Sequence, residues 1–148
     1  QISGPTVSVC CNELTANSQA VAAGWRGAQV STADEWRSVT AAAGNVDVLL
    51  SYLMVVRTAA AQQTPPDDKA RFYRNADIEW SLALRDTFFT GQGRPAELIA
   101  LDDALPVTQG RHHGYHDSTP DERDRESRRN YDRILKRWRG RTEILHTS

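Results

Sequence analysis

The chain has 148 residues, of which 39% are hydrophobic and 25% charged, with a formal net charge of −1. That length bounds it to one domain with a modest core. The near-neutral balance excludes a polycation that coats nucleic acid by charge alone. No segment reaches the roughly 18 apolar residues of a membrane span, because the longest apolar run, residues 46–56, is interrupted by Asp47 and Ser51. No membrane association is therefore expected.

In chain order, residues 1–30 are the hardest to read and are expected at the periphery. Val7 and Val9 alternate as in a strand, whereas Leu14 and Val21 suit a helix. Cys10 and Cys11 are adjacent, a spacing at which two cysteines rarely pair, and no other cysteine exists to build a framework. A reducing compartment is the default, and no secretory signal pattern is read.

A first helix is expected from Thr32, where Thr32-Ala33-Asp34-Glu35 forms a capping box and Trp36, Val39, Thr40 and Ala43 share a face. Gly44 ends it. Asn45 caps a second helix to about Ala61, with Val46, Leu49, Leu50, Leu53 and Val56 in a broad stripe, and Pro65-Pro66 stops it. A third helix runs from about Ala76 to Phe89 behind a cap at Asn75. Its Ile78, Leu82, Leu84 and Phe88 face inward, while Glu79 and Asp86 mark its solvent side. Residues 90–118 then form a long connection with several glycines and prolines, a length that is usually functional or disordered in a compact domain.

The fourth helix, Thr119 to Trp138, has the clearest start. A hydroxyl stands at the N-cap, Pro120 at the first helical position and Glu122 at the third. Tyr131, Ile134, Leu135 and Trp138 repeat as an apolar stripe. Arg125, Arg129, Asp132 and Lys136 line the opposite face, with Arg128 at its flank. From Thr119 to Arg141, Arg and Lys outnumber Asp and Glu. Such a helix is suited to hold anions while anchored by its other side. Two readings stand: an external phosphate bound by arginines that a carboxylate such as Asp132 orients, or a solvated face with intrahelical pairs such as Glu122–Arg125 and Arg129–Asp132.

The elements together predict an all-α fold, a single domain over residues 1–148 folded as an antiparallel four-helix bundle. The long loop lies between helices 3 and 4, and the antiparallel pairing brings Arg94 near Arg128, Arg129 and Asp132. His112, His113, His116 and Asp117 cluster in that loop, but no cysteine accompanies them, so no metal is expected. No nucleophile triad, phosphate-cradling glycine motif or HExxH sequence is present. The expectation is a protein without cofactor and without catalysis.

One ordered set of features runs from Trp25 to about Gly140. It comprises a tryptophan at one end (Trp25 or Trp36), two helices, the passage Phe72-Tyr73-Arg74-Asn75 and a third helix ending Leu84-Arg85-Asp86-Thr87-Phe88-Phe89. Arg94, Glu97, Glu122, Arg128-Arg129 and Asp132 follow. This order resembles the coat proteins of rod-shaped plant RNA viruses, of the tobamovirus and furovirus type. The resemblance implies a structural capsid subunit that self-assembles as a helical homo-oligomer around single-stranded RNA, in the virion and the host cytoplasm. It implies RNA contact, with little base specificity, at Arg94, Arg128, Arg129 and Asp132, with Arg125 beside them on the same helix. It also implies mutually repelling carboxylates between subunits, for which Glu79, Glu97 and Glu122 stand at similar offsets. Gln92 stands where that family often has a further arginine. A second resemblance is carried by Trp25-Arg26-Gly27 and Tyr73-Arg74-Asn75-Ala76-Asp77. It is to the small helical-hairpin proteins secreted by bacterial type VII systems, and implies a secreted helical partner protein with no nucleic acid.

Overall fold

A computed structural model describes residues 1–70, 75–88, 93–109 and 119–146. The described residues form a mixed α/β fold and not the expected all-α, antiparallel four-helix bundle. Helix α1 (Thr6–Ala16) leads into strands β1 (Ala20–Gly24), β2 (Gly27–Val30), β3 (Val39–Ala42), β4 (Gly44–Val46), β5 (Val48–Leu49) and β6 (Met54–Val56). Helices α2 (Thr58–Gln63) and α3 (Ala76–Thr87), strand β7 (Glu97–Ala100) and helix α4 (Pro120–Trp138) follow. The strands make two sheets, one in the order β4-β7-β1-β6 and the other in the order β3-β2-β5. β1 and β7 run parallel; the remaining pairs are antiparallel.

The first two expected helices are absent for local reasons. The box at Thr32 is a turn between β2 and β3: the Asp34 carboxylate accepts from the Arg37 amide at 3.1 Å and from the Ser38 hydroxyl. Glu35 and Trp36 both take positive φ, 59° and 69°, which a right-handed helix cannot contain. Residues 46–56 become short strands. Val46 and Val48 are β-branched, and the apolar run reads equally as buried strand or buried helix. Leu49 is then fixed from both sides, its amide donating to Ser81 Oγ at 3.0 Å and its carbonyl accepting from the same hydroxyl at 3.3 Å.

The segment expected at the periphery supplies an interior strand. All five residues of β1 are buried, and its register shifts between Ala20 and Ala22 against β7. This bulge puts two successive residues on one face. Val21 and Ala22 therefore share a cluster with Leu49, Leu84 and Leu98. Ala20 and Ala23 meet Cys10 and Leu14 of α1 on the other side. Arg57 closes the end of α1, its guanidinium donating to the carbonyls of Leu14, Asn17 and Ala20. Gly27 lets the second sheet approach the first, since a β-carbon there would lie 2.7 Å from Ala100 Cβ and 2.8 Å from Val46 Cγ2.

α4 packs by the expected stripe. Ile134 and Trp138 are buried with Ile78 and Leu82 of α3, Val48 and Trp36, and Tyr131 and Leu135 pack at the edge. Its direction is not the expected one. Asn75 Nδ2 donates to the Ser127 carbonyl at 3.1 Å, Arg137 meets Glu79 at 2.6 Å and Arg141 meets Asp86 at 2.5 Å. Residue numbers rise together along the contact, so α3 and α4 run the same way. Glu79 and Asp86 thus face α4 and the chain beyond it rather than solvent.

Candidate anion-binding face

The exposed side of α4 is built by its cap and its stripe. The Glu122 amide donates to Thr119 Oγ1 at 3.2 Å, and Pro120 occupies the first turn, so the helix begins where the sequence places it. Burial of Ile134 and Trp138 then fixes its rotation. Arg125, Arg128, Arg129 and Lys136 are left exposed and Arg133 half-buried. These five cations line a shallow groove with two carboxylates, Asp121 and Asp132. From Arg125 to Lys136 the helix rises about 16 Å, with the cations recurring each turn.

Intramolecular partners hold some of these groups without neutralising the face. Arg129 lies 3.9 Å from Glu126 one turn back, rather than against Asp132. Arg128 Nε donates to the Asp124 carbonyl at 3.4 Å. Arg133 is held by Asp67, which belongs to the chain between α2 and α3. A second depression, lined by Asp68, Lys69, Arg129 and Arg133, adjoins the groove and shares Arg129 and Arg133 with it.

Of the residues expected to form the site, the structure brings Arg125, Arg128, Arg129 and Asp132 to one groove. Arg94 is exposed just ahead of β7 and is not among the groove's lining residues. Because α3 and α4 run parallel, the chain leaving α3 emerges beside Arg141 and not beside the middle of α4. The three carboxylates expected between subunits occupy three different environments. Glu79 is 6% exposed and pairs with Arg137; Glu97 accepts from Asn17 Nδ2 at 2.7 Å; Glu122 lies in the first turn of α4.

Arg133, Lys69 and Asp67 were missed from sequence. Arg133 continues the four-residue spacing of Arg125 and Arg129, a signal that was available. Lys69 and Asp67 reach the site only through tertiary structure. Phe72, Tyr73, Arg74, Gln92 and the cluster of His112, His113, His116 and Asp117 lie outside the described residues. Among the described residues no group of three or more His, Cys, Asp or Glu is placed to hold a metal, and no helix is long and apolar enough to cross a membrane. Trp25 lies in the connection between β1 and β2 and Gly27 is the first residue of β2, not between the two helices that the hairpin resemblance implies. Comparison with protein-family models, with curated proteins and with solved structures finds no match.

Proposed function

We propose that this domain binds the phosphate backbone of single-stranded RNA along the exposed face of α4. The observation that carries this reading is the five-cation groove, set on a helix whose opposite face is locked into the core. Arginine suits the task because its planar donor fork matches phosphate oxygens two at a time. A backbone-directed contact of this kind reads charge and spacing, with little base discrimination. Assembly of subunits into a rod was implied by the resemblance to coat proteins of rod-shaped plant RNA viruses, which are four-helix bundles, an architecture this fold does not have. Phosphate contact needs no such architecture and is the part retained.

The reading is tested by fluorescence anisotropy of a labelled uridine oligoribonucleotide with the full chain across a salt series. Engagement of three or four phosphates gives a slope of log K against log salt of about −2 to −3, at roughly −0.7 per phosphate for a single strand. Replacing Arg128 and Arg129 together by Ala is expected to reduce that slope by about 1.4 while leaving circular dichroism unchanged. Absence of binding at low salt, or an unchanged slope in the double variant, removes the reading.

A further inference from the structure

The depression beside the groove joins two parts of the chain that the α4 helix alone does not explain. Lys69 comes from the segment between α2 and α3; Arg129 and Arg133 come from α4. The segment is tied down twice. Upstream, Trp80 Nε1 donates to the Thr64 carbonyl at 2.7 Å. Downstream, one carboxylate oxygen of Asp67 pairs with Arg133 Nη2, while the other accepts from the Lys69 amide at 2.8 Å. The Asp67 carbonyl also accepts from the Ala70 amide at 3.1 Å. One acidic side chain thus fixes both the guanidinium of Arg133 and the turn that carries Lys69.

We infer that this depression is an anchoring subsite for a single phosphodiester, and that Asp67 is its positioning residue. The inference rests on the reading of α4 as a backbone-binding face, and names where the strand is gripped. Lys69, Arg129 and Arg133 surround the depression, with Asp68 the one carboxylate in its lining. Asp67 pairs with Arg133 and Asp68 stands in the lining, so three cations against two carboxylates leave one net positive charge, which suits a monoanion such as a backbone phosphate. Arg129 and Arg133 also line the groove, so a phosphate seated here continues directly into the contacts along α4.

Asp67 gives the test a sign. If it were only an unfavourable charge, its removal would strengthen RNA binding, because the basic face would gain a full positive charge. If it positions Arg133 and Lys69, its removal weakens binding despite that gain. The same labelled oligoribonucleotide is titrated with the full-length wild type, Lys69→Ala, Asp67→Ala and Asp67→Asn, with thermal melting of each. Lys69→Ala, at an exposed site, is expected to fold normally and to lower the salt slope by about 0.7. Asp67→Ala is expected to bind about threefold more weakly, a loss of about 0.65 kcal/mol. Asp67→Asn, which keeps an acceptor for the Lys69 amide, should recover part of that loss. Tighter binding by Asp67→Ala, or an unchanged slope for Lys69→Ala, overturns the subsite while the groove reading stands. Failure of the wild type to bind any oligoribonucleotide overturns both.

Discussion

Arg85 and Asp47 carry charge into the interior, at 1% and 2% exposure, and both are spent on backbone groups. Arg85 donates to the carbonyls of Ile144 and Val46 at 2.5 and 3.1 Å. Asp47 accepts from the amides of His146 and Val30 at 2.5 and 2.8 Å. Burial pushes the Arg85 guanidinium below its ordinary pKa, while Asp47 and Glu97 act in the opposite sense. Together the pair staples the chain after α4 to both sheets. Tyr131 makes a similar tie, its hydroxyl donating to the Trp36 carbonyl at 2.9 Å. Burial first, and the nearby Asp34 second, raise its phenol above the usual value. A raised folded pKa means that the stabilisation is complete below the unfolded value, about 10, and is lost as pH climbs through the folded value. Thermal melting is therefore expected to show a loss of stability in alkali that Tyr131→Phe reduces, the remainder including the buried Cys10 thiol, whose pKa burial also raises. The variant should also lose about 1 kcal/mol at neutral pH. An alkaline loss of equal size in both proteins would assign it to other groups.

At the scale of elements, α4 divides its energy between its cap and its stripe, and the two can be separated. Trp138 is fully buried in the cluster with Ile78, Leu82 and Ile134. Trp138→Ala should cost about 3–5 kcal/mol, enough to unfold much of the population of a marginal domain. Thr119→Ala removes only the cap and should cost about 1 kcal/mol. Denaturant melts of the two variants check both values; comparable losses would mean that the stripe is not the anchor. α3 was legible in the sequence by its periodicity and α4 by periodicity and a realised cap at Thr119-Pro120. The cap expected at Asn75 is not made, since Asn75 takes φ 63° and its side-chain amide donates to Ser127 instead. The Thr32 box misled because Asp34 closes a turn with the same hydrogen bonds that open a helix. The run from Val46 to Val56 misled because its first four residues, 46–49, are all buried and so show no alternation of buried and exposed positions, while the exposed turn at Ser51 and Tyr52 lies inside the apparent stripe. Arg125, Arg128, Arg129 and Asp132 were legible as one face because a helix converts spacing into direction. Their relation to Lys69 was not, since a contact between Asp67 and Arg133 leaves no local trace. Nor was the parallel course of α3 and α4, which separates Arg94 from the site it was expected to share.

At the scale of the molecule, a basic groove sits on a chain of net charge −1, so attraction for a polyanion is local and not a property of the overall field. Such attraction fades beyond about 10 Å at 0.1 M salt. Another whole-molecule feature is that β7 lies between β4 and β1, two strands made long before it. Until residues 97–100 arrive, the first sheet exists only as separated pieces with open edges, while the second sheet already has all its strands. Folding is therefore expected to begin in the β3-β2-β5 sheet and to finish by insertion of β7, on the millisecond-to-second scale of nonlocal pairing. In stopped-flow measurements, Val48→Ala should mainly slow refolding, whereas Leu98→Ala should mainly speed unfolding. A slowed refolding limb for Leu98→Ala would place β7 in the nucleus instead. A nascent chain that stalls before residue 97 would leave two facing strand edges unsatisfied, so this protein is most prone to aggregate in the interval just before its keystone strand is synthesised.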